Sequence, residues 1–266
     1  MTSWNRNAAR YILLFTLTGE LAALEEATFV FVGTIGGAAH AGALQGLTEA
    51  NVQGRFLGQQ YAIVTFPTHD YPRLLPDNTR AIVAAVDIGT LKVLNLAFPS
   101  VPIFNVSLDD DTLRDLCAAN LLHTLPSARM HRDALAQWRR KDIETEITVR
   151  AWHPSFRRYA SAQLNKRFEQ THDTPMGDQA WAAWAAVKMT SDMIARGAGS
   201  SSKRLLRALR TELSFDGQKG SAMSFRENGQ LRQPLLLVAG DKIVGEAPVR
   251  GIASDLDSLG ASHCLD

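Results

Sequence analysis

Two cysteines, Cys117 and Cys264, are all that 266 residues hold. That scarcity excludes a disulfide-scaffolded miniature fold and a structural zinc site, which needs several closely spaced thiolates or imidazoles. Two readings of the pair stand. A bridge would tie the carboxyl end to the middle of the fold and contribute on the order of 3–5 kcal/mol if formed without strain; otherwise Cys117 is a small buried hydrophobe and Cys264 lies on the tail. Clustered positive charge is missing too, since 28 basic residues oppose 27 acidic ones for a net charge of +1. Nucleic acid is therefore not an expected partner, because a grip on phosphates needs concentrated Lys and Arg. The one local cluster, Arg139-Arg140-Lys141, suits a solvated helix end. No apolar run is long enough for a permanent membrane span.

Catalytic signatures are equally scarce. There is no G-x-S-x-G elbow, no G-x-x-x-x-G-K-[ST] loop and no H-E-x-x-H pair, and the glycines at 33, 36 and 37 lack dinucleotide-fingerprint spacing. Asp109-Asp110-Asp111 has neither the alternation nor the glycine of a calcium loop and reads as a helix start. His123 and His131, eight residues apart, fall about 80° apart on any continuous helix and so make no metal pair. The chain reads as a non-enzyme with no metal and no required cofactor.

What the chain does have is core-forming material: 45% of its residues are hydrophobic, enough for one large domain or two small ones. Arg6 and Arg10 precede an apolar run at 11–18, and Leu21-Ala22-Ala23 supplies small residues near a cleavage position. That order reads as an export signal over 1–23, with Glu20 slightly out of pattern. An ordinary amphipathic first helix is the alternative.

Extended runs then alternate with helical ones. Strands are expected at 28–32, 61–66, 81–86 and 101–106, and helices at 41–52 and 90–97. Continuous apolar strands separated by helices predict an α/β fold: a doubly wound, mostly parallel sheet with helices on both faces. Further on, 113–138 reads as largely helical with a break at Pro126, 143–149 as a strand, and 156–171, 177–196 and 203–213 as helices. Asn228-Gly229 accepts positive φ at both central positions of a tight turn. It predicts a C-terminal β-hairpin between 221–225 and 235–238.

The closing stretch "FDGQKG" (215–220), "FRENGQ" (225–230) and "QPL" (233–235) resembles the end of type I periplasmic solute-binding proteins of the branched-chain amino-acid receptor kind. "GLTEAN" (46–51) and "GRFLGQ" (54–59) resemble the first helix and turn of that family. More narrowly, "NVQGRFLG" (51–58), "AWHP" (151–154), "QLNKRF" (163–168) and "DQAWAAW" (178–184) are similar to the subgroup linked to pyrroloquinoline quinone (PQQ)-dependent alcohol oxidation. The resemblance covers most of 28–245. It implies a periplasmic, non-catalytic binding protein with PQQ as a candidate ligand, and an ABC-transporter permease or a periplasmic quinoprotein dehydrogenase as candidate partners.

The resemblance also implies a second lobe after the helix near 138, where only 139–151 stands. Thirteen residues cannot make a βαβ unit. The expected organisation is thus one lobe built from 24–138 and 152–250, with a shortened connection between them and a tail at 251–266. An open lobe would leave a solute partly wet, so a docking role, against a dehydrogenase or in a homo-oligomer, stands beside solute binding.

Sites in open parallel sheets lie beyond the carboxyl ends of the strands. The candidates are Thr34, Gly36 and Gly37 after the first strand, Thr65 after the second, Asp87 and Gly89 after the third, and Asn105, Ser107 and Asp109 after the fourth. Turn geometry for the glycines and helix capping for Asp109 are the structural alternatives. Trp152 and His153 join the set because an aromatic in an irregular segment can stack on a planar ligand such as a quinone.

Overall fold

The computed structural model describes residues 25–261, 263 and 264. The proposed export signal, with Arg6, Arg10 and the apolar run, lies outside the described residues. Among the described residues, no helix is long and apolar enough to cross a membrane.

The amino-terminal half is a wound sheet. Strands β1 (Glu25–Gly33), β2 (Gln59–Phe66), β3 (Thr79–Ala85), β4 (Ile103–Asn105) and β5 (Leu121–His123) form one five-stranded sheet in the order β2-β1-β3-β4-β5. All four pairings are parallel. β1 is an interior strand, between β2 and β3, and is covered on both faces. Its side chains alternate between two cores, with Phe29 and Phe31 in one and Val30 and Val32 in the other, which is why its sequence is apolar at each position from Phe29 to Val32. β5 is the element that sequence reading took for helix. Three residues with helix-compatible neighbours carry no period, and tertiary pairing with β4 decides the conformation.

Helix α1 (Ala38–Leu57) follows β1 and ends at Gly58, whose φ of 68° lets its N–H return to the Gly54 carbonyl. Helix α2 (Ile88–Ala97) follows β3, the single turn α3 (Thr112–Asp115) follows β4, and α4 (Ala128–Lys141) follows β5. Arg139, Arg140 and Lys141 occupy the last turn of α4 and are exposed, as their charge suggested.

The carboxyl half packs back onto this sheet. Strand β6 (Thr148–Arg150) is followed by helices α5 (Ser161–His172), α6 (Asp178–Met193) and α7 (Ser202–Thr211). α5 starts later than its sequence pattern, because Tyr159 and Ala160 adopt positive φ just before it. α6 is apolar nearly all round and lies buried against α1. The contact is close because Gly42 and Gly46 face it: a Cβ on Gly42 would sit 2.0 Å from the Ala180 carbonyl oxygen.

The expected hairpin is replaced by two structures. Asn228-Gly229 does form a tight turn, with the Arg226 N–H donating to the Gln230 carbonyl at 2.9 Å and an isolated bridge between Phe225 and Leu231. Only Gly229 takes positive φ, at 77°, so the turn carries one left-handed residue and not two. Strand β7 (Leu235–Ala239) then pairs antiparallel with β8 (Lys242–Ala247) and β6, in a three-stranded sheet of order β6-β7-β8. The regular hairpin is β7–β8, turned at Gly240. Fully apolar β7 is buried from both sides, a setting the half-exposed 221–225 segment could not supply.

Of the two readings of the cysteines, the bridge is the one the structure holds: Cys117 and Cys264 form a disulfide with Cα atoms 5.9 Å apart.

Candidate functional site

Because β1 leads to β2 on one side and β3 extends the sheet on the other, a crevice opens at the carboxyl ends of the strands. Two cavities lie there, on either side of the start of α1, and Ala38 lines both.

The first, of about 430 Å³, opens over the ends of β4 and β5. Ser107 and Asp109 enter from the loop after β4, Leu125 from the loop after β5, His131 from α4, Arg150 from the end of β6, and Gly177, Asp178 and Gln179 from the start of α6. Six chain segments thus converge on one opening. Asp109 is exposed, and its carboxylate accepts no hydrogen bond from any described residue; its backbone carbonyl instead accepts the Ala128 N–H at 2.7 Å. The helix-capping alternative for Asp109 therefore fails; the residue at the cap position of α3 is Asp111, and Asp110 just before it accepts the Thr112 N–H at 2.8 Å. Asp178 accepts the Trp152 N–H at 2.7 Å and faces Arg150 at 3.4 Å. His131 has a buried Nε2 without a partner. Burial lowers its pKa, partly opposed by the charges of Asp178 and Asp109.

The second cavity, about 400 Å³, lies toward β2 and is lined by Gly36, Gly37, His40, Phe168 and His172 among others. His40 accepts the Gly36 N–H at Nδ1, 3.2 Å, so its Nε2–H points to the Thr65 hydroxyl at 3.3 Å. Thr65 is thereby a support for His40. Thr34 is exposed, and its carbonyl closes the turn to Gly37 at 3.1 Å.

The remaining sequence candidates have structural work. Asp87 caps α2, accepting the Thr90 N–H at 3.0 Å and the Thr90 hydroxyl at 2.7 Å; these bonds hold its carboxyl below the usual range. Gly89 sits in the first turn of that helix, and neither residue lines the two cavities. Asn105 is buried, folding the loop after β4 by accepting the Leu108 N–H at 2.9 Å. Trp152 is only 1% exposed. It stacks on Trp181 with ring centroids 5.9 Å apart and donates to Asn165 at 2.8 Å. It has no ring face to offer a quinone. His153 lies outside both cavities, held in a turn by the Ser155 hydroxyl at 2.7 Å.

The closing motif explains itself from this side. Lys219 is fully buried, with Nζ 3.8 Å from the centre of the Trp181 ring and donating to Gln233 Oε1 at 2.7 Å and the Pro234 carbonyl at 3.1 Å. Gln233 in turn donates to the Thr124 carbonyl at 2.7 Å, while Gln230 donates to the carbonyls of His123 and Leu125, each at 3.1 Å. Arg114 completes the web by donating to the Leu125 carbonyl at 2.9 Å. Residues 219–233 therefore brace the loop that lines the larger cavity.

The structure is similar to solved structures of ABC-transporter binding proteins. A substrate-binding protein from Desulfitobacterium hafniense superposes with a TM-score of 0.70 at 9% identity, covering 82% of this chain and 99% of that one. A branched-chain amino-acid periplasmic ligand-binding protein from Burkholderia xenovorans gives 0.67 at 10% identity, covering 81% and 90%. The fold is that of one lobe of a type I periplasmic binding protein. A branched-chain amino-acid binding protein from Streptococcus pneumoniae, solved with isoleucine, gives 0.63 at 10% identity, covering 84% and 99%. No protein-family model and no curated protein matches the chain.

Within this periplasmic-binding-protein fold, sequence reasoning found Ser107 and Asp109 because they follow a legible strand. It missed Leu125, His131, Arg150, Asp178 and Gln179. Leu125 follows the unrecognised β5; the others come from segments that only tertiary packing carries to the strand ends.

Proposed function

We propose that this chain is a non-catalytic, exported solute-binding protein that takes a small solute in the cavity between Ala38, Asp109, Leu125, His131, Arg150 and Asp178. One observation carries the reading: that cavity sits beyond the strand ends of a substrate-binding fold, and ionic groups from separate segments converge on it. The single-lobe organisation belongs to the proposal, with 24–138 and 152–250 making the lobe and 139–151 standing where a second one would be inserted. The disulfide favours an oxidising compartment such as the periplasm. An ABC-transporter permease is the partner this role implies. Titration calorimetry and thermal shift with free amino acids and with PQQ test it. We expect binding to at least one solute and its abolition by Ser107→Trp, which fills the cavity; no heat and no stabilisation across the panel would refute the reading.

A link to PQQ-dependent alcohol oxidation rests on the short motifs at 51–58, 151–154, 163–168 and 178–184. With Trp152 inside the core, PQQ would have to bind through its carboxylates near Arg150 and not by stacking.

Docking is the second reading, favoured by one feature. Val52 and Phe56 lie one turn apart near the end of α1 and are 54% and 87% exposed, with Leu57 beside them at 50%. This patch faces the opposite end of the sheet from the cavities and could meet a dehydrogenase or a second copy. Light scattering on the wild type and Phe56→Ser tests self-association there.

A further inference from the structure

Between Ile194 and Thr211 the chain holds Arg196, Lys203, Arg204, Arg207 and Arg210, and no acidic residue at all. Spacing dilutes these charges in the sequence, and helix α7 gathers them. Leu205, Leu206, Ala208 and Leu209 are buried, which turns Lys203, Arg204 and Arg207 out into water and leaves Arg210 half-buried on the same face. None of the five cations forms an ion pair with a described residue. Exposed acids nearby, Glu26, Asp77, Glu212 and Glu227, are scattered over separate segments. Only the positive charge is concentrated.

The helix lies at the end of the sheet where the parallel strands begin. The Ser202 hydroxyl donates to the Thr79 carbonyl at 2.6 Å, at the start of β3, and Arg210 donates to the Ala119 carbonyl at 3.2 Å, just ahead of β5. Both cavities open at the other end. The exposed Val52, Phe56 and Leu57 share the end that α7 occupies, because α1 finishes immediately before β2 starts at Gln59, and Arg55 stands exposed and unpaired beside Phe56. The apolar run at 11–18 joins here too, since β1 starts at this end.

We propose that this end of the molecule docks on an anionic lipid bilayer, with the α7 cations over the phospholipid headgroups and Phe56 and Leu57 entering the boundary beneath them. The pairing of chemistries sets the partner. A headgroup layer supplies negative charge and, a few ångströms deeper, an apolar medium, whereas a nucleic acid would satisfy the cations and leave Phe56 wet. The inference goes beyond the solute-binding reading and does not rest on it, because the cavities would face away from the bilayer.

The test is cosedimentation of the full chain with vesicles of phosphatidylcholine alone and of phosphatidylcholine mixed with phosphatidylglycerol. An apolar leader can partition into either, so the readout is the ratio of the two affinities. We expect the anionic vesicles to be preferred, and the preference to shrink at high salt. Lys203→Gln combined with Arg207→Gln should reduce it about tenfold to thirtyfold while the variant melts at the wild-type temperature, since both side chains are solvated. Phe56→Ser should weaken binding to the anionic vesicles as well. Equal affinity for the two vesicle types, or a preference that the double variant keeps, would overturn the inference. Binding of poly-L-glutamate in place of the anionic vesicles would also overturn it, assigning the basic face to an acidic protein.

Discussion

Asn105 and His123 meet side by side on β4 and β5, with the Asn105 Nδ2 3.0 Å from the His123 Nδ1. The Asn105 amide oxygen already accepts the Leu108 N–H at 2.9 Å, so its nitrogen faces the ring and donates. His123 Nδ1 must then accept, which keeps the imidazole neutral with its proton on Nε2. Burial, and next the charge of Arg114, push its pKa well below the ordinary value. The unfolded chain takes up this proton near pH 6.5 and the folded chain does not. Stability is therefore full above pH 6.5 and declines as pH falls toward the folded value. Melting temperatures at pH 7.5, 6.0 and 5.0 should fall in that order, and His123→Asn should flatten the decline. Burial lowers His40 and His131 as well, so they add to the slope with the same sign.

The brace beneath the cavity gives a second expectation. Gln233→Ala removes the acceptor for the buried Lys219 ammonium and the donor to the Thr124 carbonyl. A buried charge left short of a partner makes the loss about 2–4 kcal/mol in urea denaturation. Solute affinity should weaken too, because the loop carrying Leu125 loses its support. A variant with wild-type stability would show that the brace is not needed.

The helix contact behind the cavity is tested at Gly42. Its Cβ would collide with the backbone of Ala180, not with a side chain that could turn away. Gly42→Ala should force α1 and α6 apart at a cost of about 1–3 kcal/mol, and Gly42→Val should cost more. Thermal unfolding followed by circular dichroism would rank the two.

Reducing the disulfide should lower stability by roughly 3–5 kcal/mol, since it links residues 147 apart in sequence. Denaturation with and without reductant, alongside Cys117→Ser with Cys264→Ser, measures this. The native chain should show no reactive thiol until it is reduced.

How far the sequence discloses this molecule depends on how much of each element's environment is local. β1 and β3 are legible because strands buried on both faces carry continuous apolar runs, Phe29–Val32 and Ala81–Ala85, and their helices because apolar spacing within 41–52 and 90–97 is a local signal. β5 is hidden because Leu121–His123 is defined by a neighbour 18 residues earlier. The hairpin expectation found a real turn at Asn228-Gly229 and joined it to the wrong strand. β7 is chosen instead by β6 and β8, a choice with no trace in the dipeptide. The site divides the same way: Ser107 and Asp109 follow a strand, while His131, Arg150 and Asp178 meet them only when α4, β6 and α6 have packed.

The seclusion of Lys219 has a practical use. The residue is 2% exposed and its amine is held by a ring and two oxygens, so an acylating reagent added to the native protein should modify surface lysines and pass this one by. The fraction of peptide 219 that becomes labelled over time then counts how often the carboxyl half opens, a clock for breathing that needs no added probe and can be read by mass spectrometry.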